Sequence, residues 1–255
     1  MYIDTHTHII DEAFSGEEEA VISRALANGV GKMLEADTSS AERAARFELC
    51  ERHKGVVYPM LGLHPQDIKE NWQEELSQLE SWLPKKPVAI GEIGLDYYWD
   101  TTFAEQQKEA LRIQFELAAK WDLPVNVHLR DAIGDFVKLV KDCARLQLRG
   151  NLHAYSGSFE TWRELNRYGD WSIGVGGVVT FKNAKSLPKV VREVPLEKIV
   201  LETDAPYLAP MPLRGTRNES ANIPLIAAKV AEIKELPLET IKETTTNNAI
   251  KLFSL

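Results

Sequence analysis

Short apolar runs alternate with longer amphipathic stretches along the whole chain, and this alternation restricts the fold more than any other feature. Near-continuous apolar runs of this length are typical of strands buried on both faces of a parallel sheet. Eight such runs are predicted as strands: Met1–His8, Lys32–Ala36, Val56–Leu63, Val88–Ile93, Pro124–His128, Asn151–Ala154, Trp171–Val175 and Ile199–Thr203.

The stretches between these runs have the apolar spacing of helices. Phe103–Trp121 places Leu111, Phe115 and Ala118 on one helical face, and the tail from Asn222 to Phe253 predicts two further helices. Eight strands that alternate with helices predict an α/β fold, a TIM (β/α)8 barrel. No Ser/Gly/Pro-rich linker interrupts the pattern, so residues 1–255 are expected to form a single domain. A doubly wound open sheet is the alternative.

Composition excludes several classes of protein. Thirty Lys+Arg against 38 Asp+Glu give a net charge of −8, which argues against a basic protein that coats nucleic acid. The start of the chain lacks a secretory signal, and no stretch approaches the roughly 18 apolar residues that span a bilayer. Cys50 and Cys143 fit no metal-ligand spacing and no disulfide framework. We therefore expect a cytoplasmic protein that has no membrane contact.

Metal-binding residue types gather where the predicted strands end. Five of the six histidines lie there, together with two acidic residues: His6, His8, His64, His128, His153, Glu92 and Asp204. In a barrel these strand ends share one rim, where active sites are built. Residues i and i+2 of a strand share a face, so His6 and His8 project together. Asp4 is expected to accept a hydrogen bond from one of these imidazoles and fix its tautomer.

The number of candidate ligands indicates two metal ions. Without His64 the set offers four imidazoles and two carboxylates, whereas a single catalytic metal typically takes three protein ligands and keeps one open position. Six side chains suit two adjacent metals that share a bridging carboxylate, for which Glu92 is the candidate. Since no thiolate is present, Mg²⁺ or Mn²⁺ is preferred and Zn²⁺ is the alternative.

The sequence resembles the TatD family of metal-dependent deoxyribonucleases, within the amidohydrolase-like barrel superfamily. The matching motifs span nearly the whole chain in order: Asp4–His8, Gly62–Pro65, Gly91–Tyr98, Val125–Arg130, His153–Gly157, Glu202–Leu208, Arg214–Glu219 and Thr246–Phe253. The resemblance implies a first metal held by His6, His8, Glu92 and Asp204. It implies a second metal held by Glu92, His128 and His153.

Further residues are expected to act on the substrate. His64 is a candidate to hold a phosphate or donate a proton to the leaving oxygen. Glu202 is expected to orient a ligand or assist the base, with a buried ion pair as the alternative. Three arginines after strand ends are candidate phosphate clamps, although a solvated surface role is the commoner one for any single arginine: Arg130, Arg214 and Arg217. The aromatic run Tyr97–Trp99 is expected either to stack on nucleobases or to pack its loop.

These expectations combine into a DNase that acts 3′–5′ as an exonuclease on single-stranded or frayed DNA. A metal-bound hydroxide is expected to attack phosphorus, and Asp204 is expected to accept the proton of that water. An amide or ester hydrolase, including an aminoacyl-tRNA deacylase, is one alternative, because the same site can attack a carbonyl. A non-catalytic quality-control or binding factor is the other. A monomer is expected.

Overall fold

A computed structural model describes residues 1–255 and contains eight strands and nine α-helices in alternation. The strands are β1 (Tyr2–Thr7), β2 (Val30–Glu35), β3 (Val57–Pro59), β4 (Ile90–Asp96), β5 (Val125–Arg130), β6 (Arg149–Leu152), β7 (Asp170–Val175) and β8 (Ile199–Leu201). The helices are α1 (Glu18–Ala27), α2 (Ser40–Arg52), α3 (Trp72–Trp82), α4 (Ala104–Lys120), α5 (Ile133–Asp142), α6 (Phe159–Leu165), α7 (Leu187–Glu193), α8 (Ile223–Lys234) and α9 (Leu238–Phe253).

The eight strands form a closed parallel barrel in sequence order. Strands β1 to β3 pair in one parallel sheet and β4 to β8 in another. Two parallel bridges join these sheets, one between Thr7 and Ala205 and one between Leu61 and Ile90. The amide of Gly91 also donates to the carbonyl of Leu61 over 2.9 Å. The predicted TIM barrel and single domain are therefore confirmed, and the open-sheet alternative is wrong.

Strand boundaries differ most from the prediction at the third strand. The predicted run Val56–Leu63 is reduced to the three residues of β3, although Leu61 still bridges to β4. Pro59, which ends β3, has no N–H to donate to a ladder. The predicted helix over 103–121 is observed as α4, and the two tail helices as α8 and α9.

Apart from a trio formed by Phe14, Val21 and Ala205, two apolar clusters stabilise the barrel. The larger one fills the space between strands and helices around Phe115, Phe136 and Trp171, whose rings lie 5.8–6.4 Å apart. The smaller one, here called the lower cluster, gathers one residue from each of several strand segments and the end of α9: Ile3, Leu34, Met60, Ala89, Val200, Ala249 and Phe253. Ile3, Ala89 and Val200 precede the candidate ligands on the first, fourth and eighth strand segments, so the lower cluster lies below the metal centre there.

Two expectations about the rest of the chain can be compared with the structure. Cys50 and Cys143 are both buried and unpaired. None of the helices combines the length and the hydropathy that crossing a bilayer requires.

Candidate metal centre

The C-terminal ends of the strands bring all six predicted metal ligands to one cleft of about 580 Å³. His8, Glu92, His128, His153 and Asp204 line this cleft, and His6 is buried directly behind it. His153 and Asp204 lie just beyond the last residues of β6 and β8. Strand β4 requires a glycine at position 94. A Cβ added to Gly94, whose φ is 154°, would lie 1.8 Å from the carbonyl oxygen of His128. Glycine therefore allows β4 to approach β5 beside Glu92.

Four donor atoms converge on one side of Glu92. His6 Nε2 lies 3.1 Å from His8 Nε2, 3.3 Å from Glu92 Oε2 and 3.7 Å from Asp204 Oδ1. His8 Nε2 lies 3.6 Å from each of the two carboxylate oxygens. Ligands about 2.1 Å from a common tetrahedral ion are roughly 3.4 Å apart. The donor set therefore fits a divalent metal ion without any rearrangement of the backbone.

The second oxygen of Glu92 faces a different set of donors. Glu92 Oε1 lies 2.9 Å from His128 Nδ1, 3.4 Å from His64 Nε2 and 3.8 Å from His153 Nε2. His153 Nε2 is also 3.5 Å from Asp204 Oδ1, so this imidazole lies between the two groups. One carboxylate thus presents one oxygen to each group, which is the arrangement that a bridging ligand requires.

Two of the histidines are hydrogen-bonded to an acceptor that orients the ring, and a third has a carboxylate close to its outer nitrogen without a hydrogen bond. His6 Nδ1 is 2.8 Å from Asn126 Oδ1, and the Asn126 amide is itself oriented by donating to the carbonyl of Thr5. His128 Nε2 is 2.9 Å from Asp96 Oδ2. The remaining pair is His153 and Glu202, described below. An acceptor at one ring nitrogen holds the proton there and leaves the other nitrogen free to bind a metal.

Glu202 supports His153 and does not line the metal cleft. Its Oε1 lies 3.0 Å from His153 Nδ1 and accepts the backbone N–H of Ala154 over 2.5 Å. Its other oxygen accepts from the side-chain amide of Asn151 over 3.1 Å. The carboxyl is fully buried. Glu202 therefore lies beside a ligand, as either orientation of that ligand or a buried ion pair would require, and away from the cleft where a base would act.

His64 is placed in the cleft as a hydrogen-bond donor. Its Nδ1 accepts the backbone N–H of Gln66 over 3.1 Å, so the neutral ring carries its proton on Nε2, which points at Glu92. Burial lowers the pKa of His64, which favours this neutral form. The geometry therefore matches the predicted proton donor or phosphate holder, and His64 also lies within 4.8 Å of the ligand atoms of Glu92 and His128.

The electrostatics of the centre favour bound cations. Burial alone would lower the pKa of His6, but the Glu92 and Asp204 carboxylates raise it to about 10. Burial is likewise outweighed at His128, where Asp96 and Glu92 raise the pKa to about 9. The pKa of Glu92 is held well below its usual range by the imidazoles, despite complete burial. Metal binding would displace these ring protons and satisfy the same carboxylates.

Asp4 has a different role from the one expected. Its carboxylate accepts the backbone N–H groups of His6 and Thr203 over 3.2 and 2.9 Å and the Thr203 hydroxyl over 2.5 Å. The expectation that Asp4 orients an imidazole is wrong, because Asn126 does so. Through these hydrogen bonds Asp4 instead stabilises the turn that carries Asp204. The φ of Asp204 is 57°. Such a left-handed residue persists only where its surroundings hold it.

Only one of the three predicted arginine clamps reaches the cleft. Arg130 lines it, with the guanidinium carbon 3.6 Å from the centre of the Tyr98 ring and 5.3 Å from that of Trp99. Arg214 lies 4.5 Å from the Phe181 ring centre, away from the cleft lining.

Arg217 is occupied elsewhere. Its guanidinium bonds the Glu17 carboxylate at 2.8 and 3.0 Å, Glu219 at 3.2 Å and the carbonyl of Ala13 at 2.7 Å. These contacts tie the loop after β8 to the segment before α1. The structure therefore does not support a phosphate contact for Arg217.

Comparison with known proteins places this centre in a family. A family model described as TatD related DNase matches residues 3–254. The chain belongs to the TatD-related DNase family.

Individual relatives match over the whole chain. The chain is 38% identical over 256 residues to the uncharacterized metal-dependent hydrolase YabD of Bacillus subtilis, with 100% of both chains covered. The crystal structure of YjjV, a TatD homolog from Escherichia coli K12, matches with a TM-score of 0.92 and 34% identity over 100% of this chain and 98% of the other. A TatD family hydrolase from Entamoeba histolytica matches with a TM-score of 0.84, 25% identity, and 99% and 97% coverage.

Family membership confirms the resemblance seen in the sequence. The protein is a metal-dependent hydrolase of the TatD family. Sequence reasoning missed two residues of its centre, Asn126 and Asp96, which orient His6 and His128. A signal existed for Asn126, which lies two positions before His128 on β5 and therefore on the same face.

Proposed function

We propose that this TatD-family hydrolase cleaves phosphodiester bonds of DNA, and that it removes nucleotides from a 3′ end of single-stranded or frayed substrate. The observation that carries the proposal is the position of Glu92, whose two oxygens face two donor groups at the floor of an open cleft. A pair of metals clamps the attacking and leaving oxygens of an in-line phosphoryl displacement.

The ligand assignment follows the two donor groups. His6, His8, Glu92 and Asp204 would hold one divalent ion, and Glu92, His128 and His153 the other. The donors are nitrogen and carboxylate oxygen only, so Mg²⁺ or Mn²⁺ is the proposed pair and Zn²⁺ the alternative. When bound, the metals supply the positive charge that acidifies a water nucleophile and neutralises the phosphoryl oxygens.

The chain's own residues then orient the substrate and move the protons. Asp204, whose side chain remains partly exposed, accepts the proton of the attacking water. His64, with its proton on the nitrogen that faces Glu92, donates to the leaving oxygen or to a non-bridging oxygen. Arg130 reaches an adjacent phosphate with a guanidinium fork that its two aromatic neighbours hold in place. Trp99, which is 67% exposed, offers a face to a nucleobase.

Charge at the cleft limits the length of polyanion that it can bind. Five acidic and two basic side chains line it, namely Asp11, Glu42, Asp67, Glu92, Asp204, Arg46 and Arg130. Arg46 is already bonded to Asp37. Attraction for phosphate would therefore come from two metals and Arg130, which suits a chain end better than a long duplex.

The test compares three substrates with purified protein. Single-stranded DNA, RNA and an aminoacyl ester are each assayed with chelator and then with Mg²⁺ or Mn²⁺ restored. We expect metal-dependent release of mononucleotides from DNA and competitive inhibition by inorganic phosphate. Turnover of the ester alone, insensitive to phosphate, would favour the carbonyl hydrolase instead. Binding of DNA without cleavage under any metal would favour a non-catalytic factor.

A further inference from the structure

A second cavity opens beside the metal cleft, and no step described above uses it. It has a volume of about 320 Å³ and shares Asp204 and Leu208 with the cleft, so the two spaces adjoin at a proposed metal ligand. Its walls come from the segments that follow β6, β7 and β8. Trp99, in contrast, follows β4, and Arg130 is the last residue of β5. This cavity is called the side slot below.

The side slot has the chemistry of a site for a flat ring that carries polar edges. Gly176 leaves part of one wall without a side chain, whereas Gly174 and Gly177 are covered by the Glu202 carboxylate and the Leu208 carbonyl. Tyr155 and Leu187 add apolar surface. A wall without side chains lets a planar group approach the backbone closely. The rim is polar and exposed, with Ser156, Asn183, Lys185 and Ser186. The volume lies at the lower end of the roughly 300–1,000 Å³ of small-molecule pockets.

We propose that the side slot binds one nucleoside unit, joined directly to the phosphate at the metal centre. This inference rests on the proposed function, because the reacting phosphate must lie at Asp204 for the unit to reach the slot. The open backbone at Gly176 would contact the base, and the hydroxyl and amide groups of Ser156, Ser186 and Asn183 would hydrogen-bond its edge or the sugar. Lys185 is the only basic residue among those that line the slot, so it suits a single unit and not a run of phosphates.

Gly176 allows the slot to be closed without disturbing the barrel. Its φ of −106° is open to any residue. A Cβ added there would meet nothing nearer than the carbonyl oxygen of Glu202, at 3.6 Å, which is an ordinary contact. Because Gly176 lines the slot, we expect a larger side chain there to narrow it. Gly177 offers no such opportunity, because its added Cβ would lie 2.0 Å from the carbonyl oxygen of Leu208.

The experiment measures dissociation constants calorimetrically on metal-loaded protein, for inorganic phosphate and for deoxyadenosine 5′-monophosphate. In the unaltered protein the nucleotide should bind at least tenfold more tightly than phosphate. Gly176→Leu should bring this ratio close to one, and the milder Gly176→Ala should give an intermediate value. Gly134→Leu is the matched control and should keep the original ratio, since Gly134 is exposed on α5 with nothing within 4 Å of an added Cβ.

The outcomes separate this inference from the proposed function. A nucleotide that binds no better than phosphate, or a ratio that Gly176→Leu leaves unchanged, would overturn the side slot as a nucleoside site even if DNA is cleaved. A tenfold ratio that Gly176→Leu abolishes, in a protein that hydrolyses no phosphodiester, would support the slot and overturn the proposed function. Gly176→Ala, which adds one methyl group, keeps the test valid should the leucine variant fail to fold.

Discussion

The lower cluster and the metal centre share the first, fourth and eighth strand segments, a few residues apart, yet they bury opposite kinds of side chain. On the eighth strand segment, Val200 belongs to the lower cluster and Asp204 to the metal centre, about 13 Å further along an extended chain. The lower cluster is entirely apolar and is covered by α9 through Ala249 and Phe253. The metal centre is polar, and its buried carboxylates lie beside imidazoles.

This difference predicts where stability and activity reside. Apolar burial stabilises a fold without a specified partner, at roughly 25 cal/mol per Å². Buried charges contribute little net stability even when paired, and they are costly when one partner is lost. Substitutions in the lower cluster should therefore reduce stability and leave chemistry intact, whereas conservative substitutions at the metal centre should do the reverse.

The largest expected effect is on turnover, from Asp204→Asn. The substitution removes a proposed ligand charge and the proposed proton acceptor while keeping the side-chain volume. General bases contribute about 10²- to 10⁴-fold, so we expect turnover to fall at least within that range, with the fold retained. The measurement is kcat for DNA together with a thermal melt of the same preparation. Retained turnover in a folded variant would remove Asp204 from the reaction.

The second effect is on stability, from Phe253→Ala in the lower cluster. Phe253 is almost completely buried, and truncation of a buried Phe to Ala costs about 3–5 kcal/mol of unfolding free energy. We expect that loss in urea denaturation, with kcat of the folded enzyme unchanged. Leu236→Ala, between α8 and α9 and 40% exposed, is the control and should lie within about 0.5 kcal/mol of the unaltered protein. Loss of kcat in Phe253→Ala without loss of stability would contradict the separation.

The third effect, on metal affinity, is intermediate in size. It tests the side chains that accept a hydrogen bond from the ligand histidines. Asn126→Ala removes the oxygen that orients His6, and loss of such a partner typically reduces metal affinity by 10- to 100-fold. Metal titration against a chelator of known affinity measures the change. Activity should return at high metal concentration, because the proposed ligands remain. Asn28→Ala, at the end of α1, is the control. Unchanged metal affinity in Asn126→Ala would show that the packing around His6 orients its ring.

The sequence predicts the strand ends well, because apolar runs fix where each strand must be buried. His6, His64, His128 and His153 therefore meet as expected. The acceptors behind them are less predictable, since Asn126 on β5 contacts His6 on β1, and the two strands are not neighbours. Such a contact across the barrel follows only from closure.

Loop residues are the least predictable from position. Arg217 follows β8, as Arg130 follows the ligand on β5, yet the two guanidinium groups have different surroundings. The loop after β8 turns back towards α1, where Glu17 provides a local partner for Arg217. A long flexible side chain forms an ion pair with the nearest carboxylate, and sequence spacing does not show which carboxylate that will be.

The smallest expected effect compares these two arginines. An Arg→Lys change keeps the charge and loses the planar, bidentate fork. The guanidinium of Arg130 is stacked on Tyr98 beside the cleft. For Arg130→Lys we expect kcat/KM for single-stranded DNA to fall about tenfold, or about 1.4 kcal/mol, relative to kcat/KM for methyl 4-nitrophenyl phosphate. This small diester has no neighbouring phosphate. Arg217→Lys should leave both values unchanged and reduce stability by at most about 1 kcal/mol, as for an exposed ion pair. A larger loss on DNA from Arg217→Lys than from Arg130→Lys would mean that substrate draws the loop after β8 over the metal centre. Equal losses on both substrates in Arg130→Lys would instead place that guanidinium on the reacting phosphate itself.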